Sequence, residues 1–469
     1  MMEQVRKVID GKRDEIISTI RELVAVKSVG GEVPLPDAPF GPGPKAALEK
    51  FIEISDRMGF STGVFENQVG WAEEGDASQE LVTILAHVDV VPVGEGWSCD
   101  PFEGMIKDGF LYGRGVADDK GPAVCSLYAL AALKEAGVKL RRRVRVMVGT
   151  NEEMGSAAVA HYVESGQELP VCGFTPDAEY PLINGEKGII TAHLSAPFAP
   201  SGDVKIVAFD GGVASNAVPD KATVDLEVAD AALPRLRRAV AEFAAPKDAA
   251  LEMEELGGGK FRLSMKGLAF HGSKPQYGSN AVAHLVALLR LVLTDGEQAK
   301  ALEKFDRLVG AQSRGENLGL LRYDDVSGFT SMCWGLMKMD GDRVKFSLNY
   351  RYPVTLDPAK TEADFRQAAA DAGFVIETIS CATPLYKPED DPLVVSLMKA
   401  YRQETGRMDD RPFSIGGGTY AKEIPNMLAF GICFQDENQH IHEIDECWEI
   451  DRIILTTKII AAAIVELAC

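Results

Sequence analysis

The chain has 469 residues and a formal net charge of −21, from 49 Lys and Arg against 70 Asp and Glu. Such a charge repels phosphate backbones and anionic lipid, and the short run Arg141-Arg142-Arg143 does not offset it, so nucleic acid and membrane surfaces are excluded as partners. With 46% apolar and 25% charged residues the composition is that of a globular protein, and its length exceeds what one hydrophobic core usually serves, which predicts two domains.

The Met1–Arg13 segment is polar and charged and does not read as a signal peptide. Eight cysteines (Cys99, Cys125, Cys172, Cys333, Cys381, Cys433, Cys447 and Cys469) are scattered without paired spacing, the pattern of reduced thiols in a cytoplasmic protein. In chain order, helical spacing of apolar residues predicts surface helices over Gln4–Val26 and Lys45–Met58. Glu80–Val91 is a β-branched apolar run, as in a strand buried on both faces. The Ala-rich helix Pro122–Gly137, a second buried strand at Arg143–Gly149 and the helix Ser156–Ser165 follow. This alternation predicts an α/β layer fold.

From about Gly185 the texture changes. Strands are expected at Gly188–Pro197, Ala222–Val228, Arg262–Ala269, Val344–Tyr352 and Phe374–Ile379, and helices at Leu233–Phe243, Asn280–Leu293 and Thr361–Ala372. That is an α+β pattern. After Pro384, Pro388 and Pro392 the chain returns to helix, strand, helix at Leu393–Gly406, Met427–Phe434 and Glu449–Ala468. The last helix carries Asp451, Arg452, Lys458 and Glu466, which suits a packed terminal helix and not a membrane span. The domains expected are therefore 1–184 plus 385–469, and an inserted 185–384 large enough to act as a lid.

His87 and Asp89 close the first buried strand with one residue between them, so they share a face. A polar strand edge can carry the same pair. In GRGVADDKG (113–121), however, Asp118 and Asp119 lie on a Gly-rich loop before a helix, a position that an N-cap alone would also explain. A cap does not require the further acidic pair Glu152-Glu153 at the next strand end, nor Asp177 after another apolar segment. Carboxylates at successive strand ends converge on the edge where α/β sheets place their sites. Five carboxylates and an imidazole there would repel one another strongly without cations. Oxygen and imidazole donors favour zinc, with manganese and cobalt as alternatives. A second imidazole comes from QHIHEIDE (439–446); His442, followed by the acidic pair Asp445-Glu446, is preferred over His440. His161, His193 and His284 read as structural.

With these residues assembled, the chain resembles the aminoacylase–carnosinase superfamily of co-catalytic zinc metallopeptidases, and within it the bacterial dipeptidase V branch. The likeness rests on LAHVDVVPVGEGW (85–97), LYGRGVADDKGP (111–122), GTNEEMG (149–155), TPDAEYPLINGEKG (175–188), IGGGTY (415–420) and HEIDE (442–446), which follow the family order across almost the whole chain. It implies a three-layer αβα phosphorylase/hydrolase-like catalytic domain with an inserted α+β lid, ferredoxin-like and duplicated. It also implies two divalent ions: His87 and Asp177 on one, Glu153 and His442 on the other, and Asp118 bridging, with a cis peptide between Asp118 and Asp119. Asp89 would fix the tautomer of His87 and Glu152 would be the general base. From the lid, His271 would stabilise the oxyanion, Asn216 and Arg351 would hold the substrate carboxylate, and Gly416 and Gly417 would let backbone approach the substrate. One departure is that the family's C-terminal motif usually ends Asn-Glu where this chain has Asp445-Glu446.

The activity so implied is hydrolysis of unblocked dipeptides by a monomer whose own lid supplies the oxyanion histidine. An N-acyl amino acid deacylase or desuccinylase would use the same metals and base. A non-enzymatic metal-binding protein of this fold is a third reading.

Overall fold

A computed structural model describes every residue of the chain except Ala311. The chain divides into two compact units. The first comprises Met1–Asn184, Lys387–Phe413 and Gly418–Cys469; the second comprises Gly185–Tyr386 with Ser414–Gly417.

The sheet of the first unit runs in the order Ser61–Phe65, Val69–Glu74, Arg143–Gly149, Leu81–His87, Cys172–Thr175 and Met427–Ala429, then Ile183–Glu186, where the chain passes into the second unit. Its centre is parallel. Leu81–His87 lies between Arg143–Gly149 and Cys172–Thr175, and Met427–Ala429 adds in parallel to the latter. Every residue of Leu81–His87 and Arg143–Gly149 is buried, because helices cover both faces of the sheet. Lys120–Glu135 packs on these two strands and is itself covered by Met2–Gly11, Arg13–Val24 and Ile450–Ala468, while Pro42–Arg57 and Ala157–Glu164 pack on Val69–Glu74. The fold is thus the expected three-layer αβα arrangement with an inserted α+β unit.

Some elements differ from the sequence reading. Gln4–Val26 is two helices parted at Lys12, whose backbone leaves the helical region. The expected strand Met427–Phe434 stops at Ala429. Beyond it Gly431 lies so close to the carbonyl of Ala178 that a Cβ there would fall 2.4 Å from it, and Ile432 and Cys433 donate to that carbonyl instead of continuing a ladder. The hairpin Ser61–Phe65/Val69–Glu74 had no sequence signal; its turn carries Glu66 and Asn67, both at positive φ.

The second unit is one antiparallel sheet in the order Ala250–Gly257, Lys260–Lys266, Lys221–Val228, Val204–Gly211, Ser331–Asp340, Arg343–Tyr352, Gly188–Pro197 and Val375–Ala382. Its two quartets of strands join by only two register pairs, Asp210 with Lys338 and Gly211 with Met337. Burial alternates along the strands, as in Lys221–Val228, where Ala222, Val224, Leu226 and Val228 are buried between more exposed neighbours, so one face is packed and one solvated. Helices Leu233–Glu242, Ala281–Val292, Gly296–Leu308 and Pro358–Asp371 supply the apolar side chains that complete the packed face. Four of its elements escape periodicity: the strands Val204–Gly211, Ala250–Gly257 and Ser331–Asp340, and the helix Gly296–Leu308.

Candidate metal centre

His87 ends the central strand of the first unit, and its ring is wholly buried. Its Nε2 lies 2.9 Å from Oδ1 of Asp118 and 3.6 Å from Oδ2 of Asp177. The other oxygen of Asp118, Oδ2, lies 2.9 Å from Nε2 of His442, which is also 3.2 Å from the carboxylate of Glu153. One buried aspartate therefore presents each of its two oxygens to a different imidazole. His440 points away and pairs with Glu443 at 3.0 Å. The Asp118–Asp119 peptide is cis.

Two sets of donor atoms fall within 4.8 Å of one another: those of His87, Glu152 and Asp177, and those of His87, Asp118 and Glu153. The second set shares Asp118 and Glu153 with His442, whose ring reaches both carboxylates from the C-terminal loop. A cavity of about 540 Å³ opens on this cluster, lined by Asp118, Glu152, Asp177 and His442 together with Glu179 and Phe434. All of these residues belong to the first unit.

The electrostatics show a cluster short of positive charge. Burial, reinforced by Asp118, pushes the Asp177 carboxyl well above its usual range. Burial also lifts Glu152 to about 7, with Glu153, Asp118 and Asp89 adding and His87 opposing. Asp119 is raised by burial and by Asp177, and its Oδ1 has no hydrogen-bond partner. Against its own burial, Asp118 is held low by His442 and His87. Conversely, hydrogen bonds to Asp118 and Glu153 raise His442 to about 10, and despite complete burial Asp118 and Asp89 raise His87 well above 6.5. Protons on imidazoles and carboxyls thus supply the charge that divalent cations would supply, and the carboxylate and imidazole donors suit such cations.

Asp89 takes a different position from the one expected. The atom closest to Nδ1 of His87 is the Asp89 backbone carbonyl at 2.9 Å, and the carboxylate is 3.6 Å away. That carboxylate instead accepts from the amides of Glu152 and Glu153 at 3.0 and 3.2 Å. A turn that must present two acidic side chains has exposed N–H groups, and a buried carboxylate satisfies them.

Four residues around the cluster, Arg114, Lys120, Tyr420 and Glu446, escaped the sequence reading. Glu446, wholly buried, accepts from the amides of Gly115, Ala117 and Asp118 and from Arg114. Lys120, also wholly buried, donates to the carbonyl of Val26. Tyr420 places its ring edge-on to His87 at 6.1 Å. The GRG, DDK and GTY segments held the only signal for Arg114, Lys120 and Tyr420.

The second unit brings its own candidates together. Gly272 donates to the carbonyl of Asn216 at 2.6 Å, which ties Asn216 to the turn carrying His271. Nδ1 of His271 is 2.7 Å from Oγ of Ser273. A Cβ at Gly416 would fall 2.9 Å from Cβ of Ser273, so a glycine is needed for that approach. The carbonyl of Gly416 accepts from Nη1 of Arg351 at 2.5 Å, and Asn349 accepts from its Nε. Arg351 is 3% exposed, and burial lowers it to about 10. No carboxylate lies within ion-pairing distance of it among the described residues. Gly417 follows in the same segment.

Comparison with known proteins identifies the family. The model of "Peptidase family M20/M25/M40" matches residues 83–466. The "Putative dipeptidase YtjP" of Bacillus subtilis (strain 168) is 34% identical over 467 residues, covering 97% of this chain and 98% of the relative. The "Putative dipeptidase SAR1836" of Staphylococcus aureus (strain MRSA252) is 33% identical over 467 residues, covering 97% of each. Among solved structures, human carnosine dipeptidase 1 superposes with a TM-score of 0.56 at 18% identity over 99% of this chain and 98% of that one. The aminoacylhistidine dipeptidase of Vibrio alginolyticus gives 0.57 at 15% over 97% and 96%, and both show the shared fold. An aspartate set between two imidazoles on an αβα sheet, a family match spanning both His87 and His442, and relatives alike over almost their full length place the chain in peptidase family M20/M25/M40.

Proposed function

We propose that the protein is a metal-dependent dipeptidase acting on unblocked dipeptides. The observation that carries this is Asp118, whose two oxygens face His87 and His442 in a cavity that also holds Glu152. His87 and Asp177 would hold one ion, Glu153 and His442 the other, and Asp118 both, with zinc preferred and manganese or cobalt able to substitute. When bound, such a pair supplies Lewis acidity and lowers the pKa of water. Glu152 removes the proton of the attacking water and delivers it to the leaving amine, from a place in the cavity beside Asp118 and Asp177. Asp89 holds the Glu152-Glu153 turn through its two amides. His271 stabilises the oxyanion, and burial together with Arg351 and Lys274 keeps its pKa below 6.5, so the ring acts as a neutral donor. Asn216 and Arg351 hold the substrate carboxylate, and the buried guanidinium without a carboxylate partner supports that role. Gly416 and Gly417 let backbone approach the substrate. In this reading Gly185–Tyr386 is a lid, and the enzyme is a cytoplasmic monomer; eight free cysteines among the described residues support the reducing compartment.

Hydrolysis of a panel by zinc- or manganese-loaded protein tests the assignment: unblocked dipeptides, a tripeptide, N-acetylated dipeptides, and N-acetyl and N-succinyl amino acids. Cleavage confined to unblocked dipeptides is expected. Cleavage of the acyl amino acids alone would keep the metal chemistry and make the protein a deacylase or desuccinylase. Glu152→Gln should abolish turnover, a loss of at least about 10²-fold, while metal binding by titration calorimetry persists; wild-type turnover in this variant would remove Glu152 as the base.

A further inference from the structure

The loop that delivers His442 has little structure of its own. Between Ala429 and Cys447 no helix or strand is formed among the described residues, and His440, His442 and Asp445 all have positive φ, a conformation that non-glycine residues rarely hold unless surrounding contacts impose it. Those contacts are concentrated at one carboxylate. Glu446 is 0% exposed, and its oxygens accept from Gly115 at 3.1 Å, Ala117 at 2.9 Å, Asp118 at 3.2 Å and Nη1 of Arg114 at 2.7 Å. The Glu446 carbonyl accepts from Gly113 at 2.9 Å. Arg114 reaches further along the same loop and donates Nη2 to the carbonyl of Glu443 at 3.0 Å. The donors that Glu446 satisfies are thus the backbone of the loop that presents Asp118, while Glu446 itself is four residues from His442.

We propose that Glu446 is a positioning residue that sets the affinity of the ion held by Asp118, Glu153 and His442, by locking the His442 loop onto the Asp118 loop. The proposal rests on the two-metal reading above. Chemistry favours a carboxylate here over an amide. Three backbone N–H groups and a guanidinium converge on two oxygens, and a glutamine would turn an NH₂ group against those donors. Asp445 serves as the contrast. Its Oδ1 accepts from the amide and hydroxyl of Ser98 at 2.8 and 3.0 Å, contacts that an asparagine oxygen can also accept, and among the described residues its carboxylate has no hydrogen bond to the Asp118 loop.

Titration calorimetry of the full-length metal-free protein with Zn²⁺, repeated with Co²⁺ and its visible absorption, tests the proposal. The wild type is expected to show two binding events. In Glu446→Gln one event should weaken by about tenfold or more, as in the reference variant His442→Ala, while the other stays within about threefold. Asp445→Asn should leave both unchanged. Should Glu446→Gln fail to fold, Arg114→Gln is titrated in its place, and a selective loss of the same event is expected. Equal weakening of both events, or no weakening, in the folded variant would overturn the positioning role. Fewer than two events in the wild type would overturn the two-metal reading itself, and the proposal with it.

Discussion

Lys120 carries an ammonium with no access to solvent, held by the carbonyl of Val26 at 2.6 Å. Burial lowers its pKa from 10.5 to about 7, although Glu446 and Asp89 oppose the shift. In the unfolded chain this lysine binds a proton below about 10.5; in the folded metal-free protein it does so only below about 7. Stability that is complete above the unfolded pKa is therefore lost as pH falls from about 10 to 7, and the loss levels off below. Urea unfolding of the metal-free protein should show Lys120→Met gaining on the wild type over that window, by up to a few kcal/mol, and a difference independent of pH would refute it. At His271, Ser273→Ala should lower kcat by roughly tenfold with KM nearly unchanged, and Ser273→Thr should restore it, if the hydroxyl sets the imidazole's orientation. At this scale the sequence was most readable where chemistry is concentrated. Asp118, Glu152, Asp177 and His442 line one cavity, and His87 and Glu153 contact Asp118 and His442. It was least readable at Glu446 and Asp89, because a carboxylate that serves backbone amides looks in sequence like any acidic turn residue.

At the scale of elements, the closest approach in the parallel core is at Gly173, paired with Thr83 of the neighbouring strand. A Cβ there would stand 2.1 Å from the Thr83 carbonyl oxygen, and neither backbone can give way without breaking the ladder. Gly173→Ala is expected to cost at least about 2 kcal/mol in urea unfolding; a loss below about 0.5 kcal/mol would show that the strands part easily. The same reasoning explains which elements the sequence disclosed. Leu81–His87 is buried on both faces and so is written as the largely apolar LVTILAH, whereas the equally buried Arg143–Gly149 carries Arg143 and Arg145, both paired with Glu73. Ala250–Gly257, an edge strand of sequence ALEMEELG, is almost wholly exposed and reads as a charged loop, since only its partner strand makes it a strand.

For the molecule as a whole, the inserted segment 185–386 begins and ends beside paired residues of the first unit. Asn184 accepts from the amide of Lys387 at 2.9 Å, and its side chain donates to the Lys387 carbonyl at 2.8 Å. Replacing 185–386 by a short Gly-Ser linker should therefore leave a folded first unit that still takes up metal, because every candidate ligand lies within it, but without dipeptide hydrolysis. Calorimetry and the substrate panel check both halves of that expectation. Chelation should also destabilise the intact protein, by about 4 kcal/mol where free metal had stood a thousandfold above its dissociation constant, read as a fall in thermal midpoint. The sequence reading places its boundaries at the change in strand and helix texture near Gly185 and at the proline cluster that begins at Pro384. It gave no sign that Ser414–Gly417 groups with the insertion, because four residues carry no periodicity.

The Met427–Ala429 strand sits inside the sheet, between Cys172–Thr175 and Ile183–Glu186, yet it is made only after the entire insertion. A ribosome therefore completes the second unit's sheet while the first still lacks an inner strand and His442. During synthesis, a chain released before His442 carries most of the acidic cluster without its last imidazole, so on the proposed two-metal reading it would be inert.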